Sequence, residues 1–142
     1  MASAHFTNFL RHLAKADIDF DTLSAKVLLV SSVPSESNLD TWEFRVDVTN
    51  EVTGTGYTAG GIAQAYTLNS LDTTGNKQAV TYTNIVNGWT GASFSAVGAI
   101  IYKDTGSSAT DILMHFVDFG GTVTASSGNF SITYSQAFAI NR

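Results

Sequence analysis

The stretch Glu51–Ile62, EVTGTGYTAGGI, decides how this chain is organised. Four of the twelve glycines fall in it, Gly54, Gly56, Gly60 and Gly61, and they surround the aromatic residue Tyr57. A chain uses glycine where the backbone needs a positive φ or a close approach to another segment. An alternating segment leads into the stretch and apolar residues leave it. We therefore predict a fixed structural turn that joins two ordered parts.

The same stretch contains a partial match to a nucleotide-binding motif. Gly54, Gly56 and Ala59 fit the fingerprint G-x-G-x-x-G/A, which requires a βαβ unit with a helix beginning at the third position. Gly60 and Gly61 stand where that helix would begin, and the residues that follow, IAQAYTLNS, alternate like a strand. We therefore predict neither a nucleotide site nor any other bound cofactor.

Length and composition predict one compact domain, residues 1–142. A chain of this size buries roughly 68% of its unfolded surface, which supplies a core without disulfides. The absence of cysteine excludes a disulfide framework, a thiolate metal site and a cysteine nucleophile. Only 13% of the residues are charged, about half the usual share of about 25%. Eighteen threonines and fifteen serines supply the remaining polarity, and threonine is common in strands.

The charge balance argues against two classes of partner. The formal net charge is −5 and no basic cluster is present, whereas nucleic acids and anionic membranes require a positive surface. No run approaches the length of about 18 apolar residues that a membrane-spanning helix needs. The first residues lack the basic and apolar regions of a secretory signal. We expect a protein that folds in the cytoplasm where it is made.

The first segment, residues 1–16, is predicted to form an amphipathic helix or arm. Within residues 3–15, one apolar stripe at helical spacing is formed by Phe6, Phe9, Leu10 and Leu13. Ser3 is the candidate N-cap. Because this stripe stands apart from the β region, we predict that it is a partner-contact arm. Deletion of residues 1–16 should then leave the rest folded and abolish association with the partner.

The region after this arm, residues 24–142, is predicted to be a β-sandwich. The apolar run Ala25–Val33 indicates a buried strand, and the residues PSESN that follow it indicate a loop. Trp42–Val52 alternates apolar and polar residues and predicts a strand with one wet face. A competing helical pattern, formed by Leu39, Trp42 and Val46 behind an Asn38 cap, stays open.

Residues after Ile62 alternate between strand and turn signals. We predict a hairpin centred on Gly75 and Asn76 and a bulge at Gly98. Further strands are predicted over 79–86, 92–103 and 112–119, then from Val123 and over 130–135, with turns at 87–88, 120–121 and 127–129. About seven short strands predict a mainly β fold, an antiparallel sandwich or jelly roll with a short N-terminal helix.

Residue types that carry chemistry are present without a supporting pattern. His5 and His12 lack a third ligand nearby, so we predict solvated histidines. Asp17, Asp19 and Asp21 alternate, but the glycine and glutamate that a calcium loop requires are missing. We expect these aspartates to face water while Ile18 and Phe20 face inward.

His115 is the only histidine of the β region, and no serine elbow accompanies Asp111 or Asp118 beside it. We therefore predict no catalytic residue and no metal site. Trp89 and Tyr82 lie among threonines and serines, where they suit carbohydrate stacking less well than a β-core or a protein interface.

Several segments together resemble a known family. The chain runs from FTNFL through DFDTLSAKVLLVSS to EVTGTGYTAGG, followed by IIYKD and the ending HFVDFGG…SGNFSITY. This order resembles the small structural proteins of tailed bacteriophages, the head decoration (cement) and minor virion proteins. The resemblance covers nearly the whole chain, and GTGYTAGG with VDFGG are its most specific parts.

The resemblance implies a binding module without an active site. Copies would bind the outer surface of the capsid lattice. The implied partners are the major capsid protein and further copies of this chain, in a dimer or trimer. A tail, head–tail junction or receptor-binding component of the virion is the alternative. A small carbohydrate-binding or hydrolytic β-sandwich is the second alternative.

Overall fold

The computed structural model describes residues 2–141; Met1 and Arg142, the ends of the predicted domain, lie outside the described residues. Strands make up 48% of the chain and helix 12%, which confirms a mainly β fold with antiparallel sheets and a short N-terminal helix. The elements are β1 (Ala4–His5), α1 (Thr7–Ala14), β2 (Ala25–Val30), α2 (Glu36–Thr41), a 3₁₀ turn (Arg45–Asp47), β3 (Ile62–Ala63), β4 (Tyr66–Leu68), β5 (Lys77–Tyr82), β6 (Ile85–Lys103), β7 (Ile112–Ile132) and β8 (Phe138–Asn141).

Two antiparallel sheets form a sandwich-like arrangement. The larger has the order β1-β7-β6-β2-β3 and the smaller the order β4-β5-β8. The ring of His115 on β7 lies between them, stacked at 4.2 Å on Phe138 of β8 and 5.5 Å from Tyr82 of β5. The core includes β2 and the adjoining half of β6, where Val27–Val30 and Ala99–Ile101 are fully buried. The buried strand predicted over Ala25–Val33 is confirmed up to Val30, where β2 ends; Val33 is exposed.

α1 begins later than the sequence predicts. Ala4 and His5 pair with Phe116 and His115 of β7, so the chain stays extended until Phe6, which is the N-cap. The prediction that Ser3 caps the helix is therefore wrong. Its hydroxyl instead accepts a hydrogen bond from the backbone N–H of Asp118 at 2.9 Å.

The segment after Pro34 corrects two predictions. The residues predicted as a loop begin α2, because the Ser35 side chain accepts from Asn38 N–H and the Asn38 side chain accepts from Ser35 N–H. The competing helical interpretation is also wrong in its bounds, because the observed helix is capped by Ser35, not Asn38, and ends at Thr41, before Trp42 and Val46. The alternating stretch Trp42–Val52 is not a strand. Arg45 Nε forms an ion pair there with Oδ2 of the buried Asp111 at 2.7 Å. Arg45–Asp47 forms a 3₁₀ turn.

The long hairpin β6–β7 replaces several predicted short strands. Its strands have 19 and 21 residues, and the predicted turns at 87–88, 120–121 and 127–129 lie inside them. Asn87, Gly120 and Ser127 have φ of +51°, +76° and +50°, and the pairing register shifts beside each. A G1 bulge places one residue at a positive φ, as several turn types also do, so the residue types alone did not distinguish bulges from turns. The predicted bulge at Gly98 and the turn at Gly75–Asn76 are confirmed.

Candidate interaction surface

The glycine-rich bend is held in place by hydrogen bonds within the bend and by hydrogen bonds to β2 and β6. One oxygen of Glu51 accepts from the Tyr57 hydroxyl at 2.8 Å and from Gly60 N–H at 2.6 Å. The Tyr57 hydroxyl accepts from the backbone N–H of Leu29 on β2 at 3.0 Å, and Tyr102 of β6 donates to Gly60 O at 2.7 Å. All four glycines have a positive φ. The predicted fixed bend is therefore confirmed.

The hydroxyl of Tyr57 is the centre of this arrangement. Burial raises the pKa of the Tyr57 hydroxyl well above its ordinary value, so the group stays protonated and keeps donating to Glu51. It therefore links the bend at Glu51 to strand β2 through Leu29. The hydrogen bonds fix the distance between the bend and the sheet.

Removal of this hydroxyl gives the first prediction. Tyr57→Phe leaves Leu29 N–H without its acceptor and one oxygen of Glu51 without its donor, and should lower the free energy of unfolding by about 1–3 kcal/mol. Chemical denaturation measures the change. Thr53→Ala, at an exposed position of the same bend, is the control and should be close to neutral. A Tyr57→Phe variant as stable as this control would contradict the role of the hydroxyl.

The ring of Tyr57 packs against the half of the β6–β7 hairpin that is remote from the loop connecting the two strands. It stacks at 6.3 Å on Trp89 and meets Phe94 edge-on at 5.6 Å, and Phe130 contacts both of those rings. Trp89 and Tyr82 are both buried, so neither is available to stack on a carbohydrate. Of the two settings that the sequence left open for them, the β-core is the observed one.

The opposite face of this half of the hairpin is exposed and carries hydroxyl groups. Ser93 pairs with Ser126 and Ser95 pairs with Thr124 across the two strands, and all four are exposed. The hydroxyls of Ser95 and Thr124 lie 2.7 Å apart, and Ser93 Oγ accepts from Ser127 N–H. We call these four residues the hydroxyl face.

Charged residues are excluded from the two segments that build this region. No Asp, Glu, Lys or Arg occurs from Ala79 to Tyr102 or from Phe119 to Asn141. Apart from Arg142, the charged residues therefore lie in the first part of the chain, up to Lys77, and from Lys103 to Asp118 around the connection between β6 and β7. The two uncharged segments are visible in the sequence, although the overall charged fraction does not show them. Predicting separate short strands in place of the hairpin hides the fact that these two segments pair.

The predicted partner-contact arm is placed differently. Phe6 and Phe9 are fully buried in the chain's own core, Leu13 is half-buried and Leu10 is 47% exposed. Burial of each phenylalanine contributes about 1.5–3 kcal/mol to the domain itself. The prediction of a detachable apolar stripe is therefore wrong for Phe6 and Phe9, and residues 1–16 cannot be removed without taking core side chains with them.

The histidines are also more buried than predicted. His12 is buried, with Nδ1 at 2.7 Å from Asp17 and Nε2 at 2.9 Å from Glu43, so it joins α1 to the segment after α2. The expectation of a solvated His12 is wrong. His5 is half-buried, with Nε2 at 3.1 Å from Ala139 O, and its ring centroid lies 4.7 Å from that of His115.

The remaining chemistry-bearing residues have structural partners. Asp111 accepts from Arg45 and from Thr105 N–H, and His115 Nδ1 is hydrogen-bonded to the Tyr82 hydroxyl. Asp19 accepts from the backbone of Asp21 in a turn. After Ala59 the chain enters β3, which pairs antiparallel with β2, so no helix follows the fingerprint glycines.

Residues 2–141 contain neither a metal-binding cluster nor a membrane-spanning helix. No group of three or more His, Asp or Glu side chains is arranged there to hold a metal ion. None of the helices in that part of the chain has the length and apolar character needed to cross a membrane.

Comparisons with known protein families, with curated proteins and with solved structures find no match to this chain.

Proposed function

We propose that the chain is a structural protein of a tailed-phage virion, a decoration or cement module that binds the outer surface of the major capsid lattice. The class comes from the resemblance of GTGYTAGG and the VDFGG ending to that family. The observation that carries the binding role is the uncharged half of the β6–β7 hairpin with its exposed hydroxyl face. Protein interfaces are depleted in charged residues at their core, and this half of the hairpin has no charged residue.

The hydroxyl face is suited to many weak, repeated contacts. Serine and threonine hydroxyls donate and accept hydrogen bonds, and they lose little side-chain entropy on binding compared with long charged side chains. A lattice presents the same surface many times, so modest contacts are amplified when copies bind side by side. The protein would be made in the host cytoplasm and then become part of the virion surface.

A single substitution in the hydroxyl face tests this role. Ser95→Lys should weaken binding to decoration-free capsids of the encoding phage at least tenfold, which is about 1.4 kcal/mol, because the ammonium group would be desolvated in the contact. Ser95→Glu should weaken it as well. Co-sedimentation with capsids across a protein titration measures the loss.

The control carries the same change elsewhere. Ser37→Lys, at an exposed serine of α2, should bind capsids as the wild type does. Equal binding by Ser95→Lys and the wild type would remove the hydroxyl face from the contact. Cryo-electron microscopy of the particle distinguishes a decoration protein from another virion component by copy number and position. Hundreds of copies on the shell would support a decoration protein. A handful of copies at one vertex or on the tail would instead support the alternative virion component.

A further inference from the structure

The outer edge of β7 is without a neighbouring strand over most of its length in the described part of the chain. β1 pairs with β7 only at His115 and Phe116, whereas β7 continues to Ile132. In an antiparallel strand the backbone groups alternate between the two sides. About half of those in residues 119–132 therefore point away from β6. We call residues 119–132 the uncovered edge.

Folded proteins ordinarily protect such an edge. Charged side chains, especially lysine, together with proline and bulges, prevent edges from pairing with other chains. The uncovered edge has no charged residue and no proline. It does have bulges, at residues around Gly120 and at Ser127. Between them Val123–Ser126 pairs with Ser93–Ala96 residue for residue, so a regular stretch of strand remains open to pairing.

An apolar niche adjoins this regular stretch. A cavity of about 190 Å³ is lined by Phe119, Val123, Phe130 and Ile132 together with Ser131 and Thr133. Val123 is 44% exposed, which is unusual for a valine on a strand whose opposite partner, Ala96, is fully buried. A strand added along the edge would therefore cover apolar surface as well as backbone groups.

We propose that the uncovered edge is where two copies of this chain associate, β7 pairing antiparallel with β7 about a two-fold axis. A two-fold interface is self-complementary, so the same strand supplies both sides. Pairing through Val123–Ser126 brings the niches of both copies to one interface. The larger sheets of the two copies then form one continuous sheet.

Charge favours this edge as the place where two copies associate. Each copy carries a formal net charge of −5, so two copies repel wherever their charged parts come close. The uncharged segments form one part of the molecule, and association there keeps the charged parts of both copies apart. The short regular stretch between bulges limits the number of new hydrogen bonds. We therefore expect a weak, concentration-dependent dimer.

Sedimentation equilibrium of the purified full-length chain tests this association. The wild type should shift from monomer to dimer as its concentration rises into the high micromolar range. Val123→Lys should raise the dimer dissociation constant at least tenfold, because pairing would bury an ammonium group at the edge. Val46→Lys, at a valine that is 60% exposed in the 3₁₀ turn, makes the same change in the charged part and should leave the dimer unchanged.

Amide hydrogen exchange identifies the surface involved. Amides within residues 119–132 should exchange more slowly at high protein concentration in the wild type and in Val46→Lys, but not in Val123→Lys. If Val123→Lys fails to fold, Thr122→Lys at an exposed position of the same edge replaces it. A wild type that stays monomeric at every concentration would overturn the proposal, as would a dimer that Val123→Lys retains or that protects another edge. These results concern the isolated chain, so they are independent of capsid binding.

Discussion

Gly61→Ala should lower the free energy of unfolding by at least about 4 kcal/mol, one of the largest effects that a single substitution produces. A β-carbon at Gly61 would lie 1.8 Å from the carbonyl oxygen of Val27 and 2.9 Å from the Cα of Leu28. Both are backbone atoms of β2, so no side-chain rotation relieves the contact. The bend would have to separate from β2 and lose the hydrogen bond between Tyr57 and Leu29.

Gly91→Ala separates the steric effect from the backbone effect. Gly61 and Gly91 have similar positive φ values, +70° and +58°, so alanine costs roughly 1–2 kcal/mol of backbone energy at either position. A β-carbon at Gly91 would meet nothing within 4 Å among the described residues. Denaturant unfolding of both variants, monitored by tryptophan fluorescence, gives the difference. A Gly61→Ala variant within about 1 kcal/mol of Gly91→Ala would show that the bend is not fixed against β2.

Features of the sequence that depend on local chemistry predicted the structure well. Four glycines within Glu51–Ile62 indicated a fixed bend, and the apolar run from Ala25 indicated a buried strand. In both cases the residue types themselves set the backbone conformation or the burial. The antiparallel β class followed from the frequent turn signals and the alternation of the second half of the chain.

Features that depend on distant partners were predicted poorly. Alternation over Trp42–Val52 has the period of a strand, but the ion pair between Arg45 and Asp111 joins residues far apart in the sequence and turns the segment inward. Phe6 and Phe9 have the spacing of an amphipathic helix. That spacing identifies the apolar face of the helix. Only the fold shows that the chain's own sheet covers this face.

The candidate surface was missed for the same reason. The hydroxyl face requires Ser93 and Ser95 of β6 to lie beside Ser126 and Thr124 of β7. Predicting turns at Gly120 and at Ser127–Asn129 divided β7 into pieces, which hid this pairing. The uncharged segments were visible in the sequence, but their meaning as one surface depends on the hairpin register.

The free energy of unfolding should also decrease as the pH is lowered, because His115 is buried in its neutral form. This residue is 1% exposed, and its Nδ1 is hydrogen-bonded to the hydroxyl of Tyr82. Its Nε2 has no partner among the described residues. Burial, with a smaller contribution from His5, holds the pKa of His115 well below its ordinary value, so the folded protein contains the neutral imidazole.

The sign of the effect follows from the lowered pKa. In the unfolded chain His115 binds a proton below about pH 6.5, whereas the folded chain does not bind it until the pH is much lower. Stability from the neutral imidazole is therefore complete above about pH 6.5 and is lost as the pH falls. Between that value and the folded pKa, the free energy of unfolding should decrease by about 1.4 kcal/mol per pH unit.

A double substitution assigns this slope to His115. Tyr82→Phe with His115→Phe replaces both hydrogen-bonding partners by apolar rings, which avoids leaving one of them buried and unpaired. Urea unfolding from pH 7.5 to pH 5 should show the slope in the wild type and a slope smaller by about one proton in the double variant. Acidic side chains titrate mainly below this window, so they contribute little to the comparison. Equal slopes in the two proteins would mean that His115 is accessible to protons in the folded state, and that the contact between the two sheets at Phe138 opens readily.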